Sequence, residues 1–187
     1  MITLFKSMVL PHIEYCCPLW SPTTIGRIRQ LETIQRSFTA KINGLNNLNY
    51  WERLKVLGLY SLERRRERYL IIYVFKIIQG LTPNFETDKF RLRVQLNPRR
   101  GRMCIVPSLN TRSLSSVTTK VEESLAIRGP RLFNALPMNL RNYDGSVAAF
   151  KSHLDKFFNN VPDQPSLPAY QQPAVSNSVI EQRASGL

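Results

Sequence analysis

Acidic side chains are scarce in this sequence: 13 Asp and Glu stand against 26 Lys and Arg among 187 residues, a formal charge of +13. Solubility alone does not require that imbalance. With a pI near 10.2 it points first to nucleic acid as a partner and second to an anionic membrane surface. Cysteine is rarer still. Cys16, Cys17 and Cys104 form an odd set with an adjacent pair, which excludes a secreted disulfide framework and fits a reducing compartment. Of the two histidines, His12 and His153, neither sits in a triad motif, and no CxxC spacing offers zinc its four ligands. A glycine-rich phosphate loop is lacking, and the adjacent acids Glu122-Glu123 would diverge on a helix. No metal, cofactor or catalytic residue is therefore expected, and the chain does not read as an enzyme. Long hydrophobic runs are absent too. Residues 69–78 include Lys76 and fall short of the roughly 20 apolar residues that span a bilayer. The early apolar stretch is interrupted by Lys6, Pro11, His12 and Glu14, so no secretory signal is evident. A soluble, intracellular protein of nucleus or cytoplasm is the expectation.

What is present is enough apolar material, 43%, for a real core. Residues 1–82 read as a run of helices. Pro11 should kink or end the first. Ser21-Pro22 resembles a cap and first position, opening a helix that Asn43-Gly44 closes. Asn49 with Glu52 forms a capping-box pattern before a short helix ended by Gly58. Ser61 then caps a longer helix stopped by Gly80 and Pro83. From there to residue 161 the chain is mixed. Short strands are expected at 91–95 and 103–106, and helices at 124–136 and 146–160, the latter carrying Phe150, Leu154, Phe157 and Phe158. Residues 162–187 are rich in Pro, Gln and Ser and read as a disordered tail. The expected fold is mainly α: a helical N-terminal bundle over 1–82, a smaller mixed and mostly helical unit over 83–161, and the tail.

The basic charge is concentrated. Residues 61–102 hold eleven Lys and Arg against four acids, so 11 − 4 gives +7 of the +13. Arg64, Arg65, Arg66 and Arg68 crowd the first turns of the helix that Ser61 caps. Guanidinium forks stay charged and donate paired hydrogen bonds to phosphate. These four, supported by Arg99, Arg100 and Arg102 in a loop-like run, are the candidate nucleic-acid-binding residues. The alternative is a solvated helix face on which Glu63 and Glu67 pair with neighbouring arginines at about 0.2–0.5 kcal/mol each. Tyr50, Trp51, Tyr60, Tyr69 and Tyr73 accompany the arginines. Base stacking is open to them, although Tyr69 and Tyr73 share a helix stripe with core residues.

Several phrases occur in order. They are Leu10-Pro11-His12-Ile13-Glu14-Tyr15, Trp20-Ser21-Pro22, Tyr50-Trp51-Glu52-Arg53-Leu54, and Leu57-Gly58-Leu59-Tyr60-Ser61-Leu62-Glu63-Arg64-Arg65-Arg66. Arg128-Gly129-Pro130-Arg131-Leu132-Phe133-Asn134-Ala135-Leu136-Pro137 follows. Over residues 1–165 this resembles the region downstream of the palm in the reverse transcriptase polyprotein of non-LTR, LINE-type (jockey-like) retrotransposons. The resemblance implies a helical thumb, then a C-terminal domain, both contacting template RNA and target DNA. The palm aspartates that hold two metal ions in that family have no counterpart here, nor does its endonuclease. The resemblance therefore implies a truncated remnant that binds phosphate backbone without catalysis. A second reading is a structural module whose helices 22–43 and 61–80 pack on a polymerase palm supplied in trans.

Overall fold

The computed structural model describes residues 1–82, 93–97, 102–106, 125–163 and 178–180, the two strands as backbone only. It is mainly helical, as expected. Pro11 governs the start. It has no N–H to donate, and its ring crowds the carbonyl four residues back. The helix absorbs this by widening: α1 (Ile2–Leu4) passes into a π-helical segment (Phe5–Val9) before α2 (Leu10–Glu14) resumes with Pro11 in its first turn. The proline thus reshapes the helix without ending it.

Cys16 takes a left-handed backbone, φ 50°, and turns the chain into α3 (Cys17–Trp20). Ser21 does not cap the next helix. Its N–H and Oγ both reach back to the Cys17 carbonyl, at 3.0 and 2.7 Å. It therefore closes α3, and α4 (Ile25–Ala40) starts three residues beyond Pro22. Asn49 and Glu52 form the reciprocal capping box at 2.9 Å in both directions, opening α5 (Tyr50–Leu57), and Gly58 ends it in the left-handed region. Ser61 Oγ accepts from the Arg64 N–H at 3.1 Å and so caps α6 (Leu62–Ile78), as the sequence indicated. Farther on, β1 (Arg93–Asn97) pairs antiparallel with β2 (Arg102–Val106), Arg93 opposite Val106 and Asn97 opposite Arg102. Helices α7 (Leu125–Asn134), α8 (Met138–Arg141) and α9 (Val147–Asn160) complete the order, α9 capped by Ser146.

Two compact units result. One comprises Met1–Glu67 with Pro162–Leu187, the other Arg68–Val161. They part inside α6, not near residue 82, because the first turns of that helix bond to partners in the first unit while the later turns pack with α7 and α9. In the first unit, Phe5, Leu10 and Leu62 form one buried cluster with Phe38 stacked on Phe5 at 4.3 Å; Tyr50, Leu54 and Leu59 form another. In the second, Phe75 stacks on Phe150 at 3.9 Å beside Tyr143 and Phe133. Gly129 admits α6 here: a Cβ on it would lie 2.7 Å from Val74 Cγ2. Of the tail expected to be disordered, Pro162, Asp163 and 178–180 are placed, with Asp163 and Val179 buried. Its other residues lie outside the described set.

Candidate nucleic-acid interface

The arginines of α6 are turned inward, contrary to the expectation of a phosphate-gripping face. Arg64 is 0% exposed, and its Nη2 donates to the Pro162 carbonyl at 3.0 Å. Arg66 is buried as well. Arg65 is bridged to Glu14 through Nε. Arg68 grips Asp155 with both tines, Nε to Oδ1 at 2.5 Å and Nη2 to Oδ2 at 2.8 Å. The fork that matches phosphate matches carboxylate equally well, and internal carboxylates have taken it. Glu63 and Glu67 are buried rather than solvated, and Glu67 Oε2 accepts the Val179 N–H at 3.0 Å. The solvated-face alternative therefore fails too. The remaining candidates, Arg99 and Arg100, lie outside the described residues, and Arg102 opens β2 with only its backbone described. Of the aromatics, Tyr50 is core, Trp51 and Tyr73 are half-buried and Tyr69 is partly exposed.

Two buried carboxylates meet the start of α6. Asp163 accepts from Ser61 N–H at 2.6 Å and Ser61 Oγ at 2.7 Å. Glu32, from α4, accepts from the Leu62 N–H at 3.0 Å and from Tyr50 Oη at 2.6 Å. The helix dipole and unpaired N–H groups favour negative charge there. Burial nevertheless pushes the Glu32 carboxyl up to about 7. Asp163 adds to that rise, while the Tyr50 and Leu62 bonds and Arg66 oppose it. Burial likewise raises the Cys17 thiol to about 11, with Glu14 contributing, so it is an inert core group. Among the described residues no three His, Cys, Asp or Glu gather as a metal site, and no helix is long and apolar enough to cross a membrane.

The cations left at the surface are not those of the cluster. Lys6, Arg27, Lys41, Lys55, Arg131, Lys151 and Lys156 are exposed, whereas among the described acids only Glu52 and Asp144 are. Glu32, Glu63, Glu67 and Asp163 are buried, and Glu14 and Asp155 are bridged. Among the described residues, then, most acids are withdrawn and exposed cations outnumber exposed acids. One further pair escaped sequence reasoning. Arg53 on α5 is buried, donating from Nε to Thr39 Oγ1 at 3.3 Å and from Nη1 to the Leu48 carbonyl at 2.9 Å. Thr39 Oγ1 in turn donates to the Arg36 carbonyl at 3.1 Å. Within the phrase Tyr50-Trp51-Glu52-Arg53-Leu54 only the three-residue step from Tyr50 to Arg53, which puts both on the inner face of α5, hinted at this. In comparisons with known proteins, the chain matches no family model, no curated protein and no solved structure.

Proposed function

We propose that this chain corresponds to the post-palm region of a non-LTR retrotransposon reverse transcriptase and binds RNA or DNA through the phosphate backbone, without catalysis. The partition of charge among the described residues carries this reading: of the acids only Glu52 and Asp144 are exposed, whereas cations such as Arg27, Lys41, Arg131, Lys151 and Lys156 are outside. Backbone contacts of this kind position a nucleic acid and leave its sequence unread. Binding should therefore be general and salt-limited. Anisotropy titrations with a single-stranded RNA and a DNA duplex test it: affinity should fall steeply and log-linearly with salt. Failure of both to bind at low salt rejects the proposal, as does salt-insensitive binding.

A second reading, docking on a partner protein such as a polymerase palm, is favoured by one observation. Met1, Leu4 and Met8, spaced along one helix side, and Tyr15 and Leu19 are each more than 60% exposed. This face belongs to residues 1–19 and not to α6, whose Leu62, Leu70, Ile71, Val74 and Phe75 are buried. Light scattering with a palm domain added in trans distinguishes the readings, since charge-driven binding alone would leave the chain monomeric.

A further inference from the structure

Two buried carboxylates from distant parts of the chain occupy consecutive amides at the start of α6. Asp163 takes the Ser61 N–H at 2.6 Å, and Glu32 takes the next one, that of Leu62, with its two oxygens at 3.0 and 3.1 Å. They are 5% and 1% exposed, so water screens neither. Two negative charges so placed repel, and ionising both is costly. Around Glu32 stand Tyr50 from α5, which donates to it, Gln35 from α4, which donates to Tyr50 Oη at 3.0 Å, and the Arg66 charge from α6. Burial dominates this set and pushes the Glu32 carboxyl up to about 7, with Asp163 adding to the rise. The two acids are anchored differently. Glu32 lies inside α4. Asp163 belongs to no helix, and its segment is fastened beside it by the Pro162 carbonyl, which accepts from Arg64 Nη2 at 3.0 Å.

We propose that Pro162–Asp163 is a pH-sensitive strap: ionisation of Glu32 drives Asp163 off the Ser61 amide and opens the start of α6 while the rest of the first unit stays folded. With the strap closed, Glu32 keeps its proton to a higher pH. With it open, the Asp163 charge is gone, water reaches the carboxyl, and its proton affinity falls back towards the ordinary 4.5. Closure is therefore most favoured below about pH 4.5 and weakens as pH rises through about 7. Between pH 6 and pH 8 the closed-to-open ratio should drop about tenfold.

Native-state hydrogen exchange on the full chain tests the strap, each amide rate being divided by that of an unstructured amide at the same pH so that base catalysis cancels. Protection of the Ser61 amide should fall about tenfold from pH 6 to pH 8. Because the opening is local, that exchange should not respond to urea below the unfolding transition, whereas the Leu54 amide of α5, which needs a larger opening, should. Glu32→Gln keeps the side chain neutral at every pH, so Ser61 protection should stay level across the same range. Protection at Ser61 that does not change with pH in the wild type overturns the strap. So does a fall that persists in Glu32→Gln, or one as sensitive to urea as exchange at Leu54, which would mark general unfolding.

Discussion

Glu32 is the residue whose chemistry the fold alters most clearly. Its carboxyl, raised by burial to about 7 from 4.5, holds a proton in the folded chain that the unfolded chain gives up. The stability this brings is fully present below about pH 4.5 and is lost as pH rises through about 7. A shift of that size corresponds to about 3 kcal/mol across the window. Urea unfolding between pH 5 and 8 should show that decline, and Glu32→Gln should flatten it while gaining stability at pH 8. A pH-independent midpoint in the wild type would contradict the assignment. Arg64 offers the opposite case, a cluster residue whose removal should act on folding. Arg64→Ala should cost about 3–5 kcal/mol, because it strips a fully buried guanidinium from its partners. Nucleic-acid affinity of the fraction that remains folded should change little.

At the scale of elements, α6 depends on groups far away in sequence. Ser61 caps it locally, but Asp163, 102 positions on, satisfies both the Ser61 N–H and its hydroxyl. Asp163→Ala leaves those donors buried without an acceptor, and a loss of about 2–3 kcal/mol in chemical denaturation is expected. Hydrogen exchange at the Ser61 and Leu62 amides should rise in the same variant. Helix α7 shows a steric constraint instead. Gly129→Ala would drive a methyl group to 2.7 Å from Val74 Cγ2, so the helices must move apart. Overpacking of that kind costs about 1–3 kcal/mol, readable as a lowered melting temperature.

For the whole molecule the decisive quantity is where charge resides. Because exposed cations occur in both units, binding should be spread rather than focused. Reversing Lys6 and Lys41 in the first unit, or Lys151 and Lys156 in the second, should weaken RNA binding by similar factors and lower the salt slope alike. Melting temperatures should hold in both variants, since these side chains are exposed. A loss confined to one pair would show a focused site in place of a diffuse field.

The mainly helical fold was legible because its signals are local. The Asn49–Glu52 box, the Ser61 cap and the Gly58 stop each act within a few residues, and the two strands fell within two residues of their expected places. Ser21 misled, since a hydroxyl that could cap the following helix bonds back to Cys17 just as readily. Net charge, too, belongs to the sequence by itself, whatever the fold. The direction in which each guanidinium points does not, because the acids that claim Arg65 and Arg68 lie 51 and 87 residues away. Coulomb attraction acts through space, and only tertiary structure could bring Glu14 and Asp155 to those arginines.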